Sequence, residues 1–377
     1  MKRKLALLIV VSVVMIIMMI LLTDPKKMAH ILRKTNVFII LCVIGLYLLN
    51  GFVKALRWHL LVRSSGSAIS FSRIYLFLLI GLMVNNTTPG RVGGEPVRAY
   101  LLRSRDDVPI GQGLSTIFAE RIMDLIVLTS MALIGVALII PFLVDSDFSV
   151  GLLLISFIPV IVVIITLIYM ATHPELLRRA ALGLCIFLKK VSKKDWAQKA
   201  ESGLLSFVDS FSEGIDNMGK DLRTNKKTGF AFVVLTVLVW LNEAGRIYLI
   251  LLALPGIEAP SFGAVLIASS VATVFGAVLP IGAMHATLIT SVFAALQIDV
   301  SSAAAAGILV VMTSIWLSIP LGILAMFVVG LKIDKKSGEI VKKGENEELE
   351  VEVEEREEEK GKVKEENDEE SRDKGDS

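Results

Sequence analysis

The chain has 377 residues, 54% of them hydrophobic and 20% charged, and its formal net charge is +2 at pH 7. Its apolar residues are gathered into runs long enough to cross a bilayer, which excludes an ordinary soluble domain. The two cysteines and four scattered histidines exclude a disulfide framework and a zinc site. We therefore predict an all-α polytopic membrane protein that uses no metal or other cofactor and binds no nucleic acid.

Six apolar segments are predicted to span the membrane: residues 5–22, 37–53, 117–140, 150–171, 229–254 and 303–331. The first segment could instead be a signal peptide. Its 18 apolar residues exceed the ~7–15 of a typical signal core, and no small-residue cleavage site follows, so an uncleaved helix is favoured. Pro320 is expected to kink the last span.

Two further apolar regions, residues 71–105 and 262–297, are each interrupted by proline and glycine. The first break contains Pro89 and Gly90, and the second contains Pro280 and Gly282. Polar, glycine-broken backbone at membrane depth is tolerated where it lines a protected cavity. Both regions are therefore predicted to be re-entrant helical hairpins, although the two halves of 262–297 are almost long enough to be ordinary spans.

The polar regions are an insert at residues 175–227 and a tail at residues 332–377, so residues 1–331 form one transmembrane domain. The insert contains an apolar stripe with helical spacing, which predicts an amphipathic helix: Leu204, Val208, Phe211, Ile215 and Met218. This helix is expected to pack on the membrane-facing side of the protein or to lie among the lipid head groups. The tail holds 19 acidic and 11 basic residues, cannot bury a core and is predicted to be disordered.

Basic residues near the ends of the spans indicate the orientation of the chain. Lys54, Arg57, Arg63 and Arg73 occur without an intervening acid, which places them on the cytoplasmic side. Residues 145–147 contain no Lys or Arg and are expected outside. The insert and the C-terminal tail are then cytoplasmic. The basic loop after the first span disagrees with this scheme, so the orientation of the first helix stays open.

With this orientation, the two halves of the domain contain the same elements in opposite directions. A span, a hairpin and a span occur at residues 37–140, and the same three elements recur at 229–331. Inverted-topology repeats of this kind place the substrate site of many transporters near the middle of the bilayer. We therefore predict an inverted repeat.

The polar stretch at residues 85–98 contains a predicted helix start, with Glu95 at the cap and Pro96 at the first helical position. A helix beginning there would direct free N–H groups and its positive dipole end at the polar stretch. This geometry suits a phosphate or carboxylate. The residues predicted to form the substrate site are Asn85, Asn86, Arg91, Gly93, Gly94, Glu95 and Arg98. Glu95 is not expected to contact the anion: it could cap the helix, pair with an arginine until the substrate arrives, or meet a cationic part of the head group. The alternative is a solvent-exposed loop between two helices.

Charged residues also occur inside the predicted spans, where each costs about 2.5–3.5 kcal/mol. The third span contains Glu120, Arg121 and Asp124, and the fifth contains Glu243 and Arg246. These groups could be neutralised pairs that hold helices together. Alternatively, they line the route of a charged head group, with Glu120 and Glu243 as the best candidates to carry a proton.

His285 lies in the second predicted hairpin, where it could titrate near neutral pH or serve as an ordinary polar packing residue. No catalytic constellation emerges, because the chain lacks a glycine elbow with its triad, a paired-histidine zinc motif and a P-loop. A lipid transferase that used Glu95 and Glu120 as acid and base would also need a donor-binding motif. We therefore expect a protein that is not an enzyme.

Three segments resemble the lysylphosphatidylglycerol synthase transmembrane-region family: residues 57–61 (RWHLL), residues 85–98 (NNTTPGRVGGEPVR) and residues 119–127 (AERIMDLIV). The resemblance implies a flippase-like integral membrane protein. Some members of that family are joined to a lipid-aminoacylating domain, and others to glycosyltransferases. Where the family usually has a second Pro-Gly-Gly motif that ends in Glu, this chain has residues 280–285 (PIGAMH). Nothing in the sequence indicates recognition of a lysyl group.

These observations lead to an expected function in the cell membrane. We expect the protein to bind an anionic lipid or a lipid-linked head group and to translocate it. The alternative is a non-catalytic scaffold for a separate lipid-modifying or glycosyltransferase enzyme.

Overall fold

The computed structural model describes residues 25–88, 93–143, 158–173, 175–176, 178–179, 182–183, 196–257, 261–276, 282–295, 298–333 and 340–342. These residues are helical almost throughout, so the prediction of an all-α polytopic membrane protein is confirmed. In chain order the helices are α1 (Pro25–Lys34), α2 (Val37–Ser64), α3 (Phe71–Thr87), α4 (Gly94–Asp106), α5 (Ile110–Leu143), α6 (Ile158–Thr172), α7 (Trp196–Thr224), α8 (Lys226–Ala253), α9 (Phe262–Gly276), α10 (Gly282–Ala295), α11 (Val300–Val311) and α12 (Leu317–Val329). A π-helical turn, Met312–Trp316, joins α11 to α12.

Four of the predicted spans correspond to long apolar helices in the described part of the chain. They are α2, the Ile110–Leu138 portion of α5, α8, and the continuous segment Val300–Val329 formed by α11, the π turn and α12. The predicted first span, 5–22, lies outside the described residues. The described part of the fourth span is α6, which has 15 residues. Outward-facing apolar side chains such as Phe38, which is 74% exposed, suit a lipid-facing surface.

The last span is interrupted shortly before Pro320. Proline has no N–H to donate to the carbonyl four residues earlier, which belongs to Trp316 at the end of the π turn. An irregular turn is a common response to such a break in the helical ladder. The expected kink at Pro320 stays a prediction.

Both predicted hairpins consist of two shorter helices that pack on each other, α3 with α4 and α9 with α10. The first pair is very close, since a Cβ atom on Gly94 would lie 2.1 Å from the carbonyl oxygen of Gly81. Only residues without side chains permit such an approach of two backbones. The predicted breaks at Pro89, Gly90 and Pro280 lie outside the described residues, and re-entry into the membrane stays a prediction for both hairpins.

Helices α2 and α8 pack as an antiparallel pair through the centre of the protein. The amide of Asn36, before α2, donates to the carbonyl of Ala253 at the end of α8 over 3.0 Å. Halfway along, Asn50 donates to the carbonyl of Val239 over 3.0 Å and to the side-chain oxygen of Asn242 over 3.1 Å. The largest buried apolar cluster surrounds this pair and includes Val43, Val127, Val239, Val265, Ile289 and Val310.

The helix contacts follow an approximate two-fold relation between the predicted halves. The sequence of contacts α2–α3, α3–α4 and α4–α5 recurs as α8–α9, α9–α10 and α10–α11. Likewise, α5 packs on α9, and Asn86 of α3 donates to Ser318 of α12 over 2.7 Å. An inverted repeat would produce this order of contacts, and the repeat itself stays a prediction.

The predicted amphipathic helix is α7, and it packs along the first half of α5. Val208 and Met218 are buried, and the Phe211 ring meets the edge of Phe118 at 5.5 Å. The apolar stripe of α7 therefore packs against the rest of the protein, which is one of the two roles expected for this helix.

The described chain divides into two compact units, with the boundary between Gly322 and Ile323. In the second unit the end of α12 is followed by strand β1 (Leu331–Ile333), which pairs antiparallel with β2 (Ile340–Lys342). The tail beyond residue 342 lies outside the described residues, so its disorder stays a prediction.

Candidate functional site

Arg57 of α2 is the centre of a buried charge network. It is 4% exposed, and its two terminal nitrogens donate to the carboxylate of Asp124 over 2.5 and 3.3 Å. Its Nε donates to Glu120 over 3.2 Å. This fork of hydrogen bonds joins α2 to α5, and it satisfies the guanidinium where water is excluded.

Arg98 of α4 completes the network from the other side. Its Nη2 donates to the second carboxylate oxygen of Glu120 over 2.6 Å, and its guanidinium carbon lies 3.9 Å from the centroid of the Trp58 ring. Trp240 of α8 donates to Asp124 over 2.7 Å. Two arginines and two carboxylates therefore neutralise one another while connecting α2, α4, α5 and α8. This arrangement corresponds to the neutralised, helix-holding alternative for Glu120 and Asp124.

Helix α2 is longer than the predicted span at residues 37–53. Lys54 and Arg57 were expected beyond the end of that span, but α2 continues to Ser64 and contains both. Arg57 is buried because it meets carboxylates that lie 63 and 67 positions later in the chain, which no local pattern reveals. Only Arg63 and Arg73 of the four cations then lie near a helix end, so the orientation rests on fewer residues than expected.

The predicted anion-binding stretch is arranged differently from the expectation. Helix α4 begins at Gly94 with Gly93 at its cap, so the predictions of Glu95 at the cap and Pro96 at the first helical position were wrong. The reason is that α3 supplies the cap. The side-chain oxygen of Asn85 accepts from the Gly94 amide over 2.7 Å, and the Thr88 hydroxyl accepts from the Gly93 amide over 3.2 Å.

Glu95 pairs with Arg121 of α5, and its shared oxygen also accepts from Asn85 over 3.3 Å. The structure thus brings Asn85, Gly94, Glu95 and Arg121 together at one end of the charge network. Asn86 points elsewhere, towards Ser318. Arg91 lies outside the described residues. Anion binding by this stretch stays a prediction.

An open cavity lies between the two predicted halves of the protein. Its polar lining includes Lys54, Glu243, Asn50 and Asn86, and the full lining also contains Tyr47, Leu48, Gly51, Tyr75, Leu79, Leu82, Trp240, Thr273, Ser314 and Leu321. Helices α2, α3, α8, α9 and α12 and the π turn all contribute. The cavity therefore lies where a transporter with inverted repeats would hold its substrate.

Glu243 in this cavity is paired with a fully buried arginine. Arg246 is 0% exposed and donates to the two carboxylate oxygens of Glu243 over 2.5 and 3.3 Å. It also donates to the hydroxyl of Thr313 over 3.0 Å. The structure therefore brings together Glu243 and Arg246, as the neutralised-pair alternative expected, and connects Arg246 to the last span through Thr313.

Lys54 is the functional candidate that sequence reasoning missed. Its ammonium lies 5.9 Å from the centroid of the Trp240 ring, and within the described part of the chain no salt bridge joins it to a carboxylate. The sequence contained one indication of this role. Tyr47, Asn50 and Lys54 are three and four residues apart, so they lie on one face of α2. A polar stripe inside an apolar run marks a cavity face.

His285 belongs to α10, but its side chain lies outside the described part of the structure. Among the described side chains, no group of three histidine, cysteine or acidic residues could hold a metal ion.

Comparison with known proteins places these features in context. The sequence model of the lysylphosphatidylglycerol synthase transmembrane region matches residues 5–322. A UPF0104 membrane protein of Methanocaldococcus jannaschii is 27% identical over 348 residues, which are 89% of this chain and 98% of that protein. A UPF0104 membrane protein of Methanothermobacter thermautotrophicus is 25% identical over 67% of this chain and 74% of its own length.

A more partial similarity links the chain to the glycosyltransferase AglD of Haloferax volcanii. The two are 23% identical over 116 residues, which are 31% of this chain and 18% of AglD. No solved structure matches the chain.

Proposed function

The chain belongs to the lysylphosphatidylglycerol synthase transmembrane-region family of integral membrane proteins, and on this premise we propose that it binds an anionic lipid head group in the cavity beside Lys54 and carries it across the bilayer. The proposal places the anion at Lys54. The sequence had indicated the stretch around Arg98 instead.

The proposal depends on a difference among the buried cations: three arginines form ion pairs with carboxylates, and one lysine does not. Arg57, Arg98 and Arg246 each donate to a carboxylate of the protein. Lys54 lines a cavity inside an apolar helix bundle, and among the described residues no carboxylate forms an ion pair with it; Glu243 of the same lining and Asp124 attract its charge only from a longer distance. A charge within the membrane is costly unless it is paired or faces a wet cavity. A bound anion would supply the missing partner.

The arrangement of the halves supports translocation in addition to binding. The cavity is lined from both halves, by α2 and α3 on one side and by α8, α9 and α12 on the other. Beside it, Asn50 of one predicted half donates to Asn242 of the other. If one half rocks against the other, a head group held at Lys54 is exposed first to one leaflet and then to the other.

The partial similarity to AglD favours one alternative. In that alternative the chain holds a lipid for a separate lipid-modifying or glycosyltransferase enzyme and does not move it. Binding would then occur without translocation.

Reconstitution into liposomes separates these functions. The measured quantity is the rate at which a fluorescent anionic phospholipid moves between leaflets, for the wild type, Lys54→Gln and the exposed-residue control Lys220→Gln. We expect Lys54→Gln to slow movement about tenfold, the factor that corresponds to ~1.4 kcal/mol of lost interaction. Lys220→Gln should match the wild type, and all three proteins should unfold at similar temperatures.

Two results would contradict the proposal. Equal rates for the wild type and Lys54→Gln would remove Lys54 from the route. Wild-type rates no faster than those of protein-free liposomes, with lipid binding retained, would favour the scaffold.

A further inference from the structure

Trp240 of α8 contacts both the buried charge network and the cavity. Its indole N–H donates to Asp124 over 2.7 Å, and the residue lines the cavity together with Lys54. The Lys54 ammonium lies 5.9 Å from the centroid of the indole ring, which is within the range of a cation–π interaction. Trp240 therefore connects a carboxylate of the network to the cation of the cavity.

The hydrogen bond to Asp124 fixes the orientation of the indole. The tryptophan side chain has one donor and no acceptor, so this bond uses the whole hydrogen-bonding capacity of Trp240. Asp124 is held in turn by Arg57, whose two terminal nitrogens donate to it. A hydrogen bond to a charged acceptor is shorter and stronger than one to a neutral acceptor. The network therefore holds the Trp240 ring in one position at the cavity wall.

A comparison with Trp58 shows what is particular to Trp240. Trp58 is also buried, donates to the hydroxyl of Thr116 over 3.0 Å and has the guanidinium of Arg98 over its ring. Its acceptor is neutral, however, and its cation is already paired with Glu120. Trp58 is also not part of the cavity lining. Trp240 has a charged acceptor, and no described carboxylate pairs with the cation beside its ring.

The charges around Lys54 explain why an aromatic contact matters. Glu243 and Asp124 attract its ammonium from beyond ion-pair distance. Arg57 and Arg246 repel it. A directly paired carboxylate would neutralise the ammonium and compete with an incoming anion. An aromatic ring attracts the ammonium without neutralising it, and the three N–H groups of the ammonium leave donors for a ligand on the side away from the ring.

From these observations we propose that Trp240 is a positioning residue for Lys54. Asp124 orients the indole, and the ring holds the ammonium at the cavity wall, where an anion can bind it. Ordering a long, flexible side chain during binding is costly, so a lysine that is already held in place binds an anion more tightly. This inference rests on the proposed function, because it specifies how the same site holds its cation. It also gives the buried charge network a role in binding.

Two substitutions of Trp240 separate the ring from the N–H group. Trp240→Phe and Trp240→Leu both remove the hydrogen bond to Asp124, but only Trp240→Leu removes the aromatic face. The full chain is reconstituted into phosphatidylcholine liposomes that contain increasing fractions of fluorescent phosphatidylglycerol. The rate of lipid movement between leaflets then gives a maximal rate and a half-saturating fraction, which is the fraction of labelled lipid at half of that rate.

The two variants should differ in the half-saturating fraction. We expect Trp240→Leu to raise it about fivefold, the factor that corresponds to ~1 kcal/mol for a lost cation–π contact. Trp240→Phe keeps a ring and should raise it about twofold. The maximal rate per folded molecule should stay unchanged in both. Both variants should unfold at a lower temperature than the wild type, because Asp124 loses a donor in each.

A double-variant comparison shows whether the effect acts through Lys54. In the Lys54→Gln background no ammonium remains, so adding Trp240→Leu should leave the half-saturating fraction unchanged. A general loss of packing would instead raise the fraction by the same factor in both backgrounds, and that result would overturn the inference. Trp58→Phe is the matched control, because it removes a buried indole N–H outside the cavity. It should lower the unfolding temperature without changing the half-saturating fraction.

The outcomes separate this inference from the proposed function. An unchanged half-saturating fraction in Trp240→Leu would overturn the inference alone, and so would equal increases in Trp240→Leu and Trp240→Phe, because the hydrogen bond and not the ring would then determine binding. If Trp240→Leu does not fold, the same comparison is made with Trp240→Phe in both backgrounds. Equal rates for the wild type and Lys54→Gln, or wild-type rates no faster than those of protein-free liposomes, would overturn the proposed function and this inference with it.

Discussion

The guanidinium of Arg98 lies over the indole of Trp58, with its central carbon 3.9 Å from the ring centroid. The same guanidinium donates to Glu120 over 2.6 Å. Both the ion pair and the cation–π contact of Arg98 are therefore made with other residues of the protein. It connects α4 to α2 and α5, which explains why a residue that seemed suited to an external anion is buried.

Replacement of Arg98 by lysine should lower stability more than lipid binding. Lysine cannot reproduce the contact of a planar guanidinium with Trp58, and a desolvated cation–π contact is worth about 2 kcal/mol. We expect a lower thermal midpoint in detergent with unchanged lipid binding per folded molecule. Arg73→Lys, at a half-exposed ion pair, is the control and should change the midpoint little. Weaker lipid binding at an unchanged midpoint would instead support the anion site expected from the sequence.

Replacement of Asp124 by asparagine should be strongly destabilising. Asp124 accepts hydrogen bonds from Arg57 and Trp240, and its loss would leave the buried Arg57 guanidinium with only Glu120. Breaking a buried pair by removing one partner typically costs about 3–5 kcal/mol. Asp106→Asn, which removes the Arg73 pair, should cost less than about 1 kcal/mol. Urea or thermal unfolding of both variants compares the two costs, and equal losses would contradict the buried network.

Glu243 was expected from the sequence either to carry a proton or to form a structural pair. Its two hydrogen bonds to the fully buried Arg246 favour the structural role. We therefore expect Glu243→Gln to lower the thermal midpoint and to leave the pH dependence of lipid movement unchanged. A flattened pH profile in the liposome assay, with normal stability, would identify Glu243 as the proton carrier.

Two glycines that differ in their surroundings test the close packing of α3 and α4. In Gly94→Ala the new Cβ would lie 2.1 Å from the backbone oxygen of Gly81, so the two helices must separate. In Gly245→Ala nothing lies within 4 Å of the new Cβ, and alanine is the better helix former by ~1 kcal/mol. We expect a lower thermal midpoint for Gly94→Ala and an equal or higher one for Gly245→Ala. Similar behaviour of the two variants would mean that the hairpin is looser than described.

The orientation of the chain can be measured with a membrane-impermeant thiol reagent. In a background without Cys42 and Cys185, single cysteines are introduced at Lys226 and Pro255, two exposed positions at opposite ends of α8. The predicted topology places Lys226 in the cytoplasm and Pro255 outside, so intact cells should be labelled only at position 255. Labelling only at position 226 would reverse the topology.

The sequence by itself determined the elements that depend on local chemistry. Long apolar runs must be satisfied as helices within a bilayer, so α2, α5, α8 and the last span could be predicted from composition. Glu243 and Arg246 lie three residues apart on one helix, so their pairing was one of the two alternatives that the sequence offered. The apolar stripe of α7 predicted a helix with one buried face.

Only the tertiary structure decided which distant groups meet. The cost of burial requires that Arg57, Arg98 and Glu120 find partners, but these residues lie on three helices whose packing is set by shape and by the whole apolar core. The capping of Gly94 by Asn85 likewise depends on the approach of α3 to α4. Lys54 was expected beyond the predicted span at residues 37–53 because the local apolar pattern does not show that α2 continues to Ser64. A buried charge needs a partner because leaving it unpaired is costly, and the packing of distant helices determines whether the protein provides one.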